Sequence, residues 1–395
     1  MTLLYKDECR CLIEYTMPMI GKKIKVVHIL HKFTYGGLEV VLVNMINSMK
    51  DQGFEHTIIS LKDYSPEMCS RIDEEIEVYS INKRDGKDLR SYWALRKLLR
   101  QVNPNIVHTY NIGAIDYVIS SLMMKGILRF HSEHGRDISD PTGANKKYQL
   151  IRRLLSPLLK KIIVVSNELA DWLTKDVGIK SHKIVTIYNG VDINKFKQCN
   201  FDAKKLLKEK LFNTNDIIIG TVARLDPIKN HILLIEAYSR LIKRRPNIKA
   251  KLIIVGDGPC SEQLHNLILR YELEDNVIMP GSMINITEVM AALDIYVQSS
   301  IAEGVPMTIL EAMSSSVPVI STDVGGISEV IDDKVEGLLV PSKDVDAMEC
   351  AIESMLLDEQ IRKEYGGNAR MKIENVFSVA KMGENYKKLY MQENI

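Results

Sequence analysis

The hydrophobic positions of this chain fall into two kinds of pattern that alternate along most of its length. Short continuous apolar runs, such as IKVVHIL (24–30) and KIIVVS (161–166), predict buried parallel strands. Longer segments with apolar residues at helical spacing separate most of them and predict helices near 88–102, 112–125, 145–160 and 167–176. The other predicted strands are 56–61, 77–81, 105–110, 127–133, 216–224, 250–258, 276–281, 294–299, 318–322 and 336–340. This alternation predicts an α/β fold with doubly wound sheets.

The alternation is interrupted once, by the turn-rich stretch IYNGVDINKF (187–196) and the polar segment that follows it. A chain of 395 residues is long enough for two domains, each with its own core. Acidic residues break up the first apolar run, so we do not expect a signal peptide, and Met17 or Met19 is an alternative start. The predicted division is an N-terminal extension at 1–23, α/β domains at 24–195 and 196–375, and a final helix at 376–395.

Composition narrows the possible partners and compartments. The formal net charge is +1, so no overall field favours nucleic acid. No apolar run approaches the roughly 18 residues that a membrane-spanning helix needs. The six cysteines are scattered without a CxxC pair, which favours a reducing, cytoplasmic compartment and argues against structural zinc.

The most informative stretch for chemistry runs from Ser299 to Thr322. It follows a predicted strand with a turn at Glu303-Gly304 and then a short apolar helix, in which Pro306 suits the first helical position. A helix that begins at the end of a buried strand directs free N–H groups and a positive dipole toward a ligand. The pattern therefore predicts a phosphate-binding site. Glu303 and Glu311 flank it and can reach hydroxyls on either side, or else Glu303 merely caps the helix and Glu311 is a solvated helix residue.

Three further loops follow predicted strands and carry residues suited to a diphosphate. Gly36-Gly37 lets a phosphate approach the backbone after the first strand. Arg224 and Lys229 place two cations in one loop, where they can converge on one diphosphate or lie in solvent. Gly256 and Gly258 end another strand, but Pro259 follows and no third glycine completes a nicotinamide-dinucleotide fingerprint. We therefore expect no cofactor.

The string Glu-Gly-x-Pro-x-x-x-x-Glu-Ala-Met, followed by a small-residue turn and Pro-Val-Ile, resembles the signature of retaining glycosyltransferases of family 4, glycosyl transferases group 1. This resemblance implies the GT-B fold, in which two Rossmann-like domains face each other across a cleft. It also implies a nucleotide-diphosphate-sugar donor, either a UDP- or a GDP-sugar, and front-face transfer of the sugar with retention. The departing diphosphate takes the proton, and no metal is needed.

The same resemblance assigns roles to individual residues. Arg224 and Lys229 would hold the leaving diphosphate, Glu303 the donor sugar and Glu311 the ribose. His134, in HSEHGRD after a predicted strand, would contact the sugar near the reaction centre. The remaining donor-binding residues would be Gly36, Gly37, Gly256, Gly258, Gly304, Val305 and Pro306.

Other positions depart from the family pattern or extend it. In VHTYN the second histidine of a common His-x-His is replaced by Tyr110, which leaves the role of His108 and Asn111 open. Asp344-Val345-Asp346 has the spacing of a metal motif, but its place at a predicted helix start favours capping. The string EHGRD resembles transferases of bacterial exopolysaccharide synthesis.

The acceptor side is less defined. We expect a saccharide or a lipid-linked saccharide as acceptor. Residues 145–161 carry six basic residues and no acidic one, which fits either peripheral contact with the inner face of the cell membrane or an ordinary solvated helix. A sugar-nucleotide epimerase of the same fold and a non-catalytic binding protein remain alternatives.

Overall fold

The computed structural model of the protein describes residues 23–136, 140 and 142–393, so the predicted extension at 1–23 lies outside the described residues except for Lys23. The first sheet in this part of the chain has seven parallel strands in the order β3-β2-β1-β4-β5-β6-β7. Their bounds are β1 Ile24–Leu30, β2 Phe54–Ser60, β3 Glu77–Ser80, β4 Ile106–Tyr110, β5 Leu128–Glu133, β6 Lys161–Val164 and β7 Ile184–Thr186.

The second sheet has six parallel strands within the described residues, in the order β10-β9-β8-β11-β12-β13. Their bounds are β8 Ile217–Val222, β9 Ala250–Val255, β10 Val277–Gly281, β11 Ile295–Gln298, β12 Val319–Thr322 and β13 Gly337–Val340. Helices cover both faces of a parallel sheet, which is why the central strands are apolar without alternation. The predicted α/β class and the two doubly wound sheets are confirmed.

Helices connect the strands in both halves. In the first half they are α1 Gly37–Ser48, α2 Pro66–Cys69, α3 Leu89–Val102, α4 Lys146–Leu155 and α5 Asn167–Lys175. In the second half they are α6 Phe201–Phe212, α7 His231–Arg244, α8 Ser261–Arg270, α9 Ile286–Ala292, α10 Met307–Ser314, α11 Val345–Leu357, α12 Glu359–Val376 and α13 Val379–Gln392.

Three details differ from the sequence-based expectation. The segment predicted as a helix at 112–125 is a 3₁₀ helix at Ile115–Ser121, with Tyr117 stacked against Tyr92 of α3. The three-residue strand β7 was not predicted, because so short a run carries little periodicity. Pro306 has extended backbone just before α10, so the helix begins one residue later than predicted.

The last helix returns to the first half of the chain. α13 packs against α1, and its buried Tyr390 makes a hydrogen bond between its hydroxyl and Nδ1 of His108 on β4, 2.6 Å apart. The C-terminal helix α13 thus follows the second half in sequence but packs into the core of the first half. No helix among the described residues is long and apolar enough to cross a membrane.

Candidate active site

A cleft of about 770 Å³ lies between the two halves, at the carboxyl ends of the strands. This is the edge at which parallel α/β sheets bind ligands. The wall from the first half comes from the loops after β1, β4 and β5 and from α4. The opposite wall comes from the loops after β8 and β11. The lining side chains include His31, Lys32, Tyr35, Glu39, Tyr110, Asn111, His134, Arg136, Tyr148, Arg224, Asp226, Lys229 and Glu303.

Glu303 and Lys229 form the central ion pair of the second wall. Nζ of Lys229 lies 2.6 Å from Oε1 of Glu303. The same carboxylate oxygen accepts hydrogen bonds from the amide of Gln298 and the hydroxyl of Ser300, each at 2.6 Å. Two loops that are more than 70 residues apart in the chain are thereby joined at one oxygen atom. A charge-assisted pair with two further donors holds the carboxylate in one orientation.

The loop that carries Arg224 is held by a hydrogen bond to Asp226 and by close packing against the glycines after β9. Nε of Arg224 donates to the buried carboxylate of Asp226 at 3.0 Å, while more than half of the arginine side chain remains exposed to the cleft. Gly256 has φ of +143° and lies against this loop, where a Cβ would come within 1.9 Å of the carbonyl oxygen of Ala223. Gly258 lies similarly close to Leu225. Neither glycine lines the cleft, so their contribution here is to let the Arg224 loop pack closely.

The turn at Glu303-Gly304 touches the first half of the chain. A Cβ on Gly304 would lie 3.1 Å from the carbonyl oxygen of His134, so the two loops meet with little space between them. The next residue, Val305, is buried, and its carbonyl oxygen accepts a hydrogen bond from the side-chain amide of Asn189 at 2.8 Å. Val305 and Pro306 lie behind the lining residues and connect the turn to α10.

His134 lies on the first wall, directly opposite this turn. Its backbone N–H donates to Oδ1 of Asn111 at 2.8 Å, which ties the loop after β5 to the loop after β4. Both ring nitrogens are buried without a hydrogen bond of ordinary geometry to a described residue, although the side chain of Asn189 lies close enough to the ring to raise its pKa. Burial lowers the pKa of His134 to about 4, so the imidazole is neutral at pH 7. A neutral ring with two unsatisfied nitrogens is suited to hydrogen-bond a ligand's hydroxyls.

Gly36 and Gly37 lie beside the start of α1. A Cβ placed on Gly37 would have no atom within 4 Å, so this residue opens onto the cleft, whereas a Cβ on Gly36 would meet Oε2 of Glu39. Burial raises the pKa of Glu39 to about 7. The turn therefore presents bare backbone at Gly37 and a partly protonated carboxyl beside it.

Glu311 lies away from the lining of the cleft, in the middle of α10. It is not a solvated helix residue, because it is buried, and burial raises its pKa to about 8. Lys195 and Arg71 oppose that rise without cancelling it. Its carboxyl is thus mostly protonated at pH 7 in this arrangement of the chain.

Among the described residues, no three His, Cys, Asp or Glu side chains are placed to hold a metal ion. Asp344 accepts a hydrogen bond from the backbone N–H of Ala347 at 2.9 Å and caps α11, as predicted.

Several residues that hold the site in place were not found from the sequence. Gln298 and Ser300 support Glu303, and Asn189 supports the turn after it. Glu133, just before His134, forms a buried bidentate pair with Arg152 of α4, at 2.6 and 3.1 Å. The polar run Gln-Ser-Ser at the end of an otherwise apolar strand was an available signal for the first two. The sequence carried no comparable signal for the pairing of Glu133 with Arg152.

Comparisons with known proteins agree with this arrangement. The family model described as "Glycosyltransferase Family 4" matches residues 35–195, and "Glycosyl transferases group 1" matches residues 202–372. An Escherichia coli protein named UDP-Gal:alpha-D-GlcNAc-diphosphoundecaprenol alpha-1,3-galactosyltransferase is 26% identical over 387 residues, which covers 95% of this chain and 98% of that protein.

A second relative and a solved structure are also similar to this chain. A Campylobacter jejuni N-acetylgalactosamine-N,N'-diacetylbacillosaminyl-diphospho-undecaprenol 4-alpha-N-acetylgalactosaminyltransferase is 31% identical over 218 residues, covering 55% of this chain and 56% of that one. The crystal structure of Anabaena HepE in complex with UDP-glucose has a TM-score of 0.79 and 22% identity, and covers 93% of this chain and 100% of that chain. The predicted GT-B fold is confirmed by this structural match. With both halves matched, the chain belongs to the family of glycosyl transferases group 1 and glycosyltransferase family 4, and it is a GT-B glycosyltransferase.

Proposed function

We propose that the enzyme transfers a sugar, with retention of configuration, from a UDP- or GDP-sugar to a saccharide or lipid-linked saccharide in polysaccharide or glycoconjugate synthesis. The observation that carries the proposal is the pairing of Lys229 with Glu303 across from His134, in the cleft at the strand ends. The UDP-glucose bound by HepE and the UDP-Gal and diphosphoundecaprenol in the Escherichia coli relative's name support the donor and acceptor classes.

In this proposal Arg224 and Lys229 bind the diphosphate and Gly37 lets it approach the backbone of the first wall. Glu303, held by Gln298 and Ser300, accepts hydrogen bonds from the donor sugar. Glu311 binds the ribose once the donor is in place. The fixed positions of the cations favour the charge that develops on the leaving group, at no cost of reorganisation during the reaction.

The bond between the anomeric carbon and the diphosphate oxygen breaks, and the diphosphate keeps the electron pair. The acceptor oxygen bonds to the anomeric carbon from the same face, and its proton passes to the departing diphosphate. His134 hydrogen-bonds the sugar at this point, since its ring is neutral and its nitrogens are unsatisfied. Positioning and charge stabilisation provide the catalysis, and no metal takes part.

Thermal stabilisation by a panel of nucleotides and nucleotide sugars, with and without EDTA, tests the donor. A ligand at 100 times its dissociation constant should add about 2.7 kcal/mol to the free energy of unfolding. We expect stabilisation by one diphosphate nucleotide and its sugar, unchanged by EDTA. If no nucleotide stabilises the protein, the donor assignment fails. If EDTA abolishes the effect, the metal-independent mechanism fails.

The stereochemical course is tested by proton NMR of the product formed with the stabilising donor and a panel of lipid-diphosphate-linked saccharides. Retention requires that the product keeps the anomeric configuration of the donor. The opposite configuration would contradict front-face transfer. Conversion of the donor without any acceptor would favour the sugar-nucleotide epimerase alternative.

We further propose that α4 contacts an anionic membrane at its inner face. The outward side of α4 exposes Leu150 and Leu154, by 53% and 66%, while Arg152 points inward to Glu133. α4 packs against the 3₁₀ helix Ile115–Ser121, after which Met123 is 78% exposed. Lys146, Lys147 and Arg153 are exposed on α4, whereas Lys160 and Lys161 pair with Glu393. Exposed apolar groups flanked by cations suit the interface of an anionic bilayer.

Co-flotation with vesicles that contain phosphatidylglycerol tests this contact. We expect the protein to float with these vesicles at low salt, and the double variant Leu150→Gln, Leu154→Gln to lose most of that binding. Leu206→Gln on α6 is a matched control, since Leu206 is 70% exposed on the other half of the chain. Equal flotation of all three proteins, or none for the unmodified protein, would rule out this surface.

A further inference from the structure

The first turn of α5 has a carboxylate from the other half of the chain bound to it. α5 follows β6 of the first sheet, whereas Glu329 lies in the 3₁₀ helix Ile327–Glu329 after β12 of the second sheet. Oε2 of Glu329 accepts from the backbone N–H of Asn167 at 2.8 Å, and Oε1 accepts from that of Glu168 at 2.9 Å. The helix's own N-cap, Ser166, accepts from the third N–H, that of Leu169, at 3.2 Å.

It is unusual for the first backbone N–H groups of a helix to bind a side chain that is distant in the sequence. The first N–H groups of a helix need partners, which normally come from the adjoining residues. Here two of three bind a residue more than 160 positions away. The negative charge of Glu329 also meets the positive end of the α5 dipole. The contact therefore contributes stability only when the two halves lie in the present arrangement.

A second observation reinforces the contact. The hydroxyl of Tyr188, also in the first half of the chain, donates to Oε2 of Glu329 at 2.9 Å, and the side-chain amide of Asn167 donates to that hydroxyl at 2.8 Å. Gly326, in the same loop as Glu329, lies so close to Ser166 that a Cβ would approach the serine Cβ to 2.7 Å. The surfaces are complementary in shape as well as in charge.

The contact adjoins the reacting groups. A Cβ on Gly304 would lie 3.4 Å from a methyl carbon of Val165, at the turn before α5, and the backbone of Gly325 packs against the carbonyl of Glu303. The backbone N–H of Glu168 donates to Glu329, and the side-chain carboxylate of Glu168 pairs with Arg136 in the lining of the cleft. The position of Glu329 on α5 thus sets how the Glu303-Gly304 turn faces His134.

We propose that Glu329 is a positioning residue, which docks the start of α5 and thereby holds the cleft in the closed arrangement needed for transfer. It does not touch the reacting atoms. Binding of a nucleotide to the second half alone does not need it, because Arg224, Lys229 and the turn before α10 all belong to that half. The inference rests on the enzyme's cleft being the site of transfer, and not on which donor it uses.

The test compares Glu329→Gln and Tyr188→Phe with Asp344→Asn. The control has the same carboxylate-to-amide change at a helix N-cap, but Asp344 caps α11 within its own half. Losing such a cap changes an equilibrium by roughly 2- to 30-fold. We expect kcat/KM of Glu329→Gln to fall about tenfold, that of Tyr188→Phe to fall less, and the control to keep it.

Two measurements distinguish positioning from general destabilisation. Small-angle scattering should show a larger radius of gyration for Glu329→Gln than for the unmodified protein, and no change for Asp344→Asn. The dissociation constant for the stabilising diphosphate nucleotide should rise by less than kcat/KM falls, because most of the proposed diphosphate contacts lie in the second half and only the approach to Gly37 involves the first. Unchanged scattering and turnover in Glu329→Gln would overturn the proposal, as would an equal loss in the control. Because the scattering needs no ligand, it also stands if the proposed donor is wrong.

Discussion

The two walls of the cleft differ in how their polar groups are satisfied. On the second wall Lys229 is paired with Glu303 and Arg224 with Asp226. On the first wall neither ring nitrogen of His134 has a hydrogen bond of ordinary geometry to a described residue, with Asn189 nearby, and a Cβ on Gly37 would meet no atom within 4 Å. The polar groups of the second wall are thus held by each other, whereas those of the first wall keep hydrogen-bonding capacity facing the cleft.

The difference matches the work that we propose for each wall. Charges that must stabilise a leaving diphosphate are more effective when neighbours hold them still. Groups that contact a sugar must instead exchange contacts with each ligand, so unsatisfied nitrogens and space are useful there.

The largest effect is expected from Lys229→Met. Removing the cation takes away charge stabilisation of the leaving group and leaves the partly buried carboxylate of Glu303 with only neutral donors. A lost electrostatic contact of this kind costs about 10²- to 10³-fold in kcat. Initial-rate kinetics with the stabilising donor measure it, and Lys243→Met, an exposed lysine of α7, is the control. A kcat within about threefold of the unmodified enzyme's would contradict the proposed role of the second wall, where a loss of at least 10²-fold is expected.

For the second wall, the sequence predicted individual residues but not the contacts between residues that are far apart in the chain. Lys229 and Glu303 were both predicted site residues, because each follows a predicted strand and matches the family pattern. Their direct pairing was not predicted, since it joins two loops that only the parallel order β8-β11 brings together. Strand periodicity gives the local elements, but the sheet order decides which loop ends become neighbours.

The same limit applies to the first wall and to the contact between the halves. His134 was predicted from its place after a strand, while its support by Asn111 and the pair of Glu133 with Arg152 depend on packing that no spacing encodes. Glu329 is a further case, because its partner is a helix start in the other half. Sequence patterns indicated candidate groups for contact with a ligand, but they gave no sign of the groups that hold those candidates in place.

A smaller effect is expected from Gly37→Ala on the first wall. The added methyl group meets no atom within 4 Å, and alanine is a better helix residue than glycine, so the melting temperature should stay the same or rise. The methyl group would, however, occupy the space that we assign to the donor diphosphate. We expect the dissociation constant for the nucleotide sugar to rise about tenfold, or 1.4 kcal/mol.

Isothermal titration measures that change, and Gly367→Ala on α12 is its control, because a Cβ there also meets nothing within 4 Å and Gly367 lies outside the cleft. Unchanged affinity in Gly37→Ala would mean that the diphosphate does not approach the first wall at this turn. The space beside Gly37 would then not be the binding site of the diphosphate.

The smallest effect concerns Glu311, whose buried carboxyl on α10 contrasts with that of Glu303 on the second wall. Burial raises its pKa to about 8 in the folded chain from an ordinary value of 4.5. Between these pH values the folded chain holds a proton that the unfolded chain has released. Raising the pH through this range therefore lowers the free energy of unfolding, and the contribution of this group is greatest below pH 4.5.

Between pH 7 and 8 this single proton accounts for about 1 kcal/mol of lost stability, since a full proton gives about 1.4 kcal/mol per pH unit. Urea unfolding at the two pH values should show that loss in the unmodified protein and a smaller one in Glu311→Gln, which has no proton to release. Equal losses in both proteins would show that Glu311 is ionised in the folded chain at pH 7. Glu303 and Glu311 would then both be ionised at pH 7. They would differ only in their partners, because Glu303 has Lys229 as a direct partner and Glu311 does not.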